Sequence, residues 1–170
     1  MANETIMRYQ IADYLNTGTG ETEAWSLCGA GFNTLDESPA AQINTKTYVS
    51  DAAASSTIKS YQPQFPFDTD LMKSEAAIMA LYEIGRNQKT GAEAEMDYLR
   101  VELFEPVASK ENTFKARKFR VAVEVASVAG AGGEAIQVTG NLNNVGTFVD
   151  GEFNTATKMF TAAADVEAGN

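Results

Sequence analysis

The stretch Tyr98-Leu99-Arg100-Val101-Glu102-Leu103-Phe104-Glu105 alternates, with Leu99, Val101 and Leu103 aliphatic and Arg100, Glu102 and Glu105 charged. A period of two is the mark of a strand with one buried face. The run Thr113 to Ser127 repeats the pattern, with Phe119, Val121, Val123 and Val125 on one side and Lys118, Arg120, Ala122 and Glu124 on the other. Between them, Pro106 to Asn112 has the length and composition of a hairpin connection. The two runs predict an antiparallel hairpin that forms the spine of the fold.

Working outward, Thr5 to Leu15 fits an extended strand and, nearly as well, a helix, and residues 1–15 read as an N-terminal arm or strand. Gly18 and Gly20 break that element, and Glu23 to Gly29 carries the sole tryptophan, Trp25. From Gly29 to Ser56 the chain is turn-rich and small, with a short strand predicted only at Thr45 to Val49. So long an irregular stretch is either a functional arm that orders against a neighbour or a plain surface loop. Thr57 to Tyr61 resumes alternation, and Pro63 and Pro66 predict a sheet edge or strand end.

The helix is predicted at 70–86, capped by Asp70 or Ser74, with Leu71, Ile78, Leu81 and Tyr82 as its apolar stripe and Gly85 as its stop. Gly130 to Gly133 supplies a reversal, Ala135 to Thr139 returns as a strand, and Asn141 to Gly146 reads as another turn. In 147–160 a hairpin fits at Asp150-Gly151 or at Thr155-Ala156, and the sequence does not choose. Residues 162–170 are alanine-rich and acidic and read as a flexible tail. At least six strands with one helix and no βαβ alternation predict a mainly β (α+β) fold, an antiparallel sandwich or barrel with one flanking helix and a long extended arm. At 170 residues it is expected to be a single domain around one core.

Composition narrows the function. Acidic residues number 23 against 13 basic, a net charge of −10, which opposes adhesion to duplex phosphates. With one cysteine, no basic signal start and no apolar run of membrane-span length, the chain is expected in the cytoplasm, with no membrane partner. There is no histidine, so Ser-His and Cys-His nucleophiles and histidine-metal sites are excluded. Cys28 reads as a small structural hydrophobe. Gly29-Ala30-Gly31 and Gly130 to Gly133 lack full phosphate-loop spacing and read as turns. Asp36-Glu37, the pair Asp68 and Asp70, and Glu93, Glu95 and Asp97 lack calcium-loop spacing and read as solvated acids. Lys115, Arg117, Lys118 and Arg120 divide between two strand faces, which suits an intersubunit salt-bridge strip as well as or better than nucleic-acid binding. No catalytic, cofactor-binding or metal residue is predicted, and no enzyme activity is expected.

Five segments then carry a resemblance. Met7 to Leu15, Leu27 to Leu35, Ser60 to Phe67, Ile84 to Gly91 and Gly151 to Phe160 together resemble the major tail tube proteins of long-tailed (siphovirus-type) phages infecting Gram-positive bacteria. The resemblance spans nearly the whole chain and rests on overall pattern, with no catalytic signature. It implies a β-sandwich or barrel with a flanking helix, hexameric rings stacked into a hollow tube, and passage of DNA without sequence-specific binding. It further implies a virion tail assembled in the host bacterial cytoplasm, with tape measure, tail terminator and distal tail proteins as partners. A β-sandwich module that binds carbohydrate or a receptor on a virion is the other reading consistent with an empty catalytic inventory.

Overall fold

The two alternating runs pair as predicted. In the computed structural model, which describes residues 4–164, β7 (Glu95–Pro106) and β8 (Thr113–Ala129) form an antiparallel pair in which Tyr98 opposes Phe119 and Val101 opposes Ala116. Before them come β1 (Ile11–Asn16), β2 (Trp25–Leu27), β3 (Phe32–Leu35), β4 (Ala41–Lys46), β5 (Ser55–Tyr61), β6 (Gln64–Asp70) and the helix α1 (Ala76–Arg86). After them come β9 (Gln137–Asn154) and β10 (Met159–Ala162). The main sheet runs β2-β1-β7-β8-β9-β6-β3, with β10 on the second half of β9, and curls into a half-barrel. β4 and β5 make a separate two-stranded sheet. The mainly β fold with one helix is therefore the observed class.

β7 is buried on both faces, which departs from the one-face reading. Met96 and Tyr98 join a core with Phe65, Phe67, Phe119, Val121 and the α1 residues Ala77, Leu81 and Ile84. Leu99 and Val101 join a second cluster with Tyr14, Trp25, Ala116 and Phe153. The expected single core is two, because a central strand flanked by β1 and β8 presents both pleat faces to packed neighbours. Arg100, read as an outward charge, is only 7% exposed for the same reason.

The helix departs from its expected start, cap and stop. The helix begins at Ala76, since the alternation of buried Phe65, Phe67 and Thr69 carries β6 through Asp70. Its N-cap is Glu75 without a side-chain cap hydrogen bond, so neither Asp70 nor Ser74 caps it. Gly85 lies inside the helix, and its missing side chain lets α1 approach β8: a Cβ there would stand 2.7 Å from Val125 Cβ. The helix ends instead at Asn87 and Gln88, the latter at φ 50°.

Asn141 to Gly146 is not a turn. β9 runs through it, and the ladder to β8 shifts near each end of it, between Val125 and Ser127, which oppose Gly140 and Thr139, and between Lys118 and Arg120, which oppose Val149 and Val145, so residues 146–148 bulge out. Pro66 sits in β6, an internal strand between β9 and β3, where an edge was expected. Its carbonyl accepts from the Asp36 amide, so the missing N–H faces the side on which the β3 ladder has already ended at Leu35. The open hairpin choice resolves in favour of Thr155-Ala156, with Phe153 opposite Phe160. The predicted tail begins inside β10 at Ala162, and its residues 165–170, like 1–3 of the N-terminal segment, lie outside the described residues.

Candidate assembly surfaces

The predicted long arm, 29–56, is a hairpin for most of its length. β4 and β5 pair from Ala41–Tyr61 to Lys46–Ser55, and every residue of both strands is exposed. Small polar residues dominate here, which is why alternation was invisible. Ile43 faces Ile58 across the pair, 64% and 54% exposed, and the loop beyond holds Tyr48 at 60% and Val49 fully exposed. That loop is closed by Tyr48 N–H donating to Asp51 Oδ2 at 2.9 Å. A two-stranded hairpin is marginal alone in water, and the apolar side chains of this one are left exposed to solvent.

A second surface is polar. Register places Asp68 and Asp70 of β6, Asn141 and Asn143 of β9, Arg120 and Glu124 of β8, and Glu95 and Asp97 of β7 on one face of the sheet. Phe65, Phe67, Val121, Val123 and Leu142 occupy the opposite face, against the helix-covered core. Asn141 and Asn143 both donate to Glu124 Oε2, at 3.2 and 3.3 Å. Asn33 donates to Asp70 at 3.2 Å, and Arg120 reaches Glu95 and Asp97, each at 3.2 Å. Five carboxylates share this surface with the one guanidinium of Arg120, giving it a negative field.

Behind the arm lies a buried ionic cluster that sequence reasoning missed. Asp13 on β1 accepts from the Tyr98 hydroxyl and from Arg100 Nη1 at 3.2 Å on Oδ1, and from Arg8 Nη2 at 2.7 Å on Oδ2. Arg8 also donates to the Leu35 carbonyl at 2.9 Å, bridging the β1 side of the half-barrel to β3. Glu37, at the foot of the β4–β5 hairpin, pairs with Arg117 and lies 3.7 Å from Arg100 Nε. The available signal was an aspartate, Asp13, directly preceding the apolar pair Tyr14-Leu15, and a lone arginine, Arg100, within an apolar run.

Burial shapes the ionisation of this cluster. Desolvation pushes the Tyr98 phenol well above its ordinary value, and the neighbouring Asp13 charge adds to the shift, so Tyr98 stays a proton donor. Arg100 would be lowered by burial, but Tyr98, Asp13 and Glu37 outweigh it and raise its pKa. Cys28 is buried, and burial followed by the Asp13 charge drives its thiol well above the usual range, which suits the structural reading.

The other flagged residues are placed as follows. Lys115, Arg117, Lys118 and Arg120 do alternate along β8, yet Arg117 pairs with Glu37 and Arg120 with Glu95 and Asp97 of the same chain, where an intersubunit strip was expected. Lys118 lies over the Phe160 ring at 5.4 Å. Gly31 is in the left-handed region at φ 85° between β2 and β3, and Gly133 at φ 84° turns β8 into β9, as turn readings require. Among the described residues, no group of three or more potential ligands could hold a metal ion, and no helix is long and apolar enough to cross a membrane.

No family model and no curated protein matches the chain. Among solved structures, a chain from "Cryo-EM structure of the anti-feeding prophage (AFP) baseplate, 6-fold symmetrised" is similar at 6% sequence identity and a TM-score of 0.46, covering 91% of this chain and 98% of that one. A superposition this loose carries no argument about role.

Proposed function

We propose that this chain is a structural subunit that polymerises as stacked rings, hexameric on the tail tube pattern, to form a phage tail tube that conducts DNA into the host. The observation that carries the reading is the β4–β5 hairpin: two strands exposed along their whole length, bearing Ile43, Ile58, Tyr48 and Val49 away from the body. Such a device gains stability only when a neighbouring subunit covers it. The free edge of β3 adds a second place where association satisfies unpaired backbone groups.

The acidic face supports the conduit half of the proposal. A wall carrying Asp68, Asp70, Glu95, Asp97 and Glu124 repels phosphate, so DNA slides past without the counterion release that makes basic surfaces adhesive. The subunit would work in the virion tail, with tape measure, terminator and distal tail proteins as neighbours.

Negative-stain imaging combined with sedimentation across a range of protein concentration tests the reading. Rings and tubes that grow with concentration are expected. A folded protein that stays monomeric throughout overturns it.

A further inference from the structure

The β4–β5 hairpin leaves the main sheet along one line of the chain, Pro39 and Ala40 on the way in and Gln62 and Pro63 on the way out. Below that line the pairing is complete: Ser38 and Gln64 exchange both backbone hydrogen bonds, at 2.8 and 2.9 Å, and the Pro63 carbonyl accepts from the Asn144 amide of β9 at 3.1 Å. At the line only one bond of the next pair is made, from the Gln62 amide to the Ala40 carbonyl at 3.2 Å, and the hairpin ladder begins with Ala41 opposite Tyr61.

Proline holds φ near −65°, so the rotational freedom of the incoming strand at this line falls on Ala40. Ala40 lies at φ 47°, in the left-handed region that a methyl group disfavours and glycine does not. Its side chain has no polar atom to hold it there, and a residue keeps such a conformation only where its surroundings impose it. The clamp stands three residues earlier. Both oxygens of the Glu37 carboxylate accept from Arg117 Nη2, Oε2 at 3.2 Å, and Oε1 lies 3.7 Å from Arg100 Nε. Arg117 is fixed in turn over the rings of Phe119 and Phe148, 5.2 and 5.6 Å from their centroids, and Glu37 is its one ionic partner among the described residues.

Beside the pair is a cleft of about 470 Å³, with Pro39 and Tyr61 on the hairpin side and Thr147 and Phe148 of β9 on the other. Tyr61 is 59% exposed and Phe148 44%, so a swing of the hairpin toward β9 buries apolar surface on both.

We propose that the β4–β5 hairpin is a hinged arm with two positions: a latched one, observed here, in which the Glu37–Arg117 pair holds Ala40 left-handed, and a swung one in which the pair is open, Ala40 relaxes to extended backbone and Tyr61 covers Phe148. Neither position needs a second molecule, so the inference concerns the single subunit and stands apart from the tube reading.

The test is pulsed electron spin resonance on monomer isolated by gel filtration and diluted with unlabelled protein. Spin labels at Thr47→Cys, exposed on the hairpin, and Lys89→Cys, exposed past the end of α1, report the angle of the arm. Cys28 is buried and stays in place, with the unsubstituted chain carried through labelling as the blank. One narrow distance is expected in the labelled parent and a second distance on adding Glu37→Gln. Adding Ala40→Gly to Glu37→Gln is expected to shift the ratio of the two back toward the latched distance by about tenfold, because glycine gains nothing by leaving the left-handed region.

A parent distribution as broad as the variant's overturns the proposal, as does a folded Glu37→Gln variant that keeps the parent distance. A second distance that Ala40→Gly leaves unchanged places the pivot elsewhere and overturns it too. Arg117→Gln opens the same latch from the body side and decides the matter if Glu37→Gln does not fold. If neither variant folds, the pair is part of the core and not a latch, and the proposal fails.

Discussion

Arg100 Nη1 lies 3.2 Å from Asp13 Oδ1, and the two side chains are 8% and 1% exposed. A buried pair of this kind adds little over an apolar pair, but removing one partner strands the other charge and costs about 3–5 kcal/mol. Asp13→Ala also leaves the Tyr98 hydroxyl without its acceptor and Arg8 without its carboxylate partner. The expected outcome is a loss of that size in urea unfolding, together with loosening of the Arg8 tie to Leu35. Arg100→Met, which removes the opposite charge, is expected to lose as much alone and to give a smaller combined loss with Asp13→Leu than the two single losses added together. Additive losses would show that the pair is not coupled.

The same cluster predicts an alkaline limit to stability. The Tyr98 phenol has a folded-state pKa well above its unfolded value of 10.0, chiefly because it is buried and secondarily because Asp13 is charged beside it. Folding therefore favours the protonated form: its contribution is complete below about pH 10 and is lost as the pH rises through the folded value. Urea midpoints measured from pH 8 upward are expected to begin falling above about pH 9, where the buried Cys28 thiol, also raised by burial, starts to contribute, and to fall more steeply above about pH 10. Tyr98→Phe lowers the midpoint at neutral pH, because Asp13 loses a donor, and makes the alkaline fall shallower, leaving the shares of Cys28 and Tyr14, whose burial also raises their pKa values. A variant with an alkaline fall as steep as wild type would assign the limit to other groups.

Gly85 is the position where helix propensity and packing disagree. Replacing an interior helical glycine with alanine ordinarily gains about 1 kcal/mol. Here the new Cβ would meet Val125 Cβ at 2.7 Å and its Cγ1 at 2.8 Å, and overpacking of that kind costs about 1–3 kcal/mol. Gly85→Ala is expected to destabilise, and in a Val125→Gly background, which removes the opposing Cβ as well, the same change is expected to stabilise by up to about 1 kcal/mol. A double-mutant cycle in thermal or urea unfolding reads the sign change directly.

Gly85 also shows where reading the sequence fell short. Near the end of an apolar stripe a glycine looks like a stop, and only the approach of Val125 explains why it lies inside α1. The spine was legible because Phe119, Val121 and Val123 alternate with charges; two-sided burial of β7 was not, because Arg100 satisfies its charge at Asp13 and Glu37, far away in sequence. Asn141 to Gly146 looked like a turn since glycine and asparagine disfavour strands. Gly140 is instead required there, its absent Cβ leaving room for the Glu124 carbonyl, which would stand 1.9 Å away. The hairpin arm was recognised as unusual but not as a hairpin, because an exposed pair of strands has no buried face to impose a period on its residues.

The acidic face is the part of the proposal most open to a direct charge test. Asp68 and Asp70 on β6 and Glu124 on β8, strands separated by β9, face outward from the core, so their replacement by lysine alters the field without repacking the interior. Wild-type assemblies are expected to show no retention of duplex DNA at moderate salt. A variant carrying Asp68→Lys, Asp70→Lys and Glu124→Lys is expected to bind DNA with an affinity that falls as salt rises, the logarithmic slope approaching about −0.9 for each phosphate neutralised. Because Asn33, Asn141 and Asn143 lose their acceptors, the variant is also expected to be less stable, and circular dichroism checks that it remains folded. If the folded, assembled variant ignores DNA at low salt, this face does not line the path that DNA takes, and the conduit wall must be sought on another surface of the subunit.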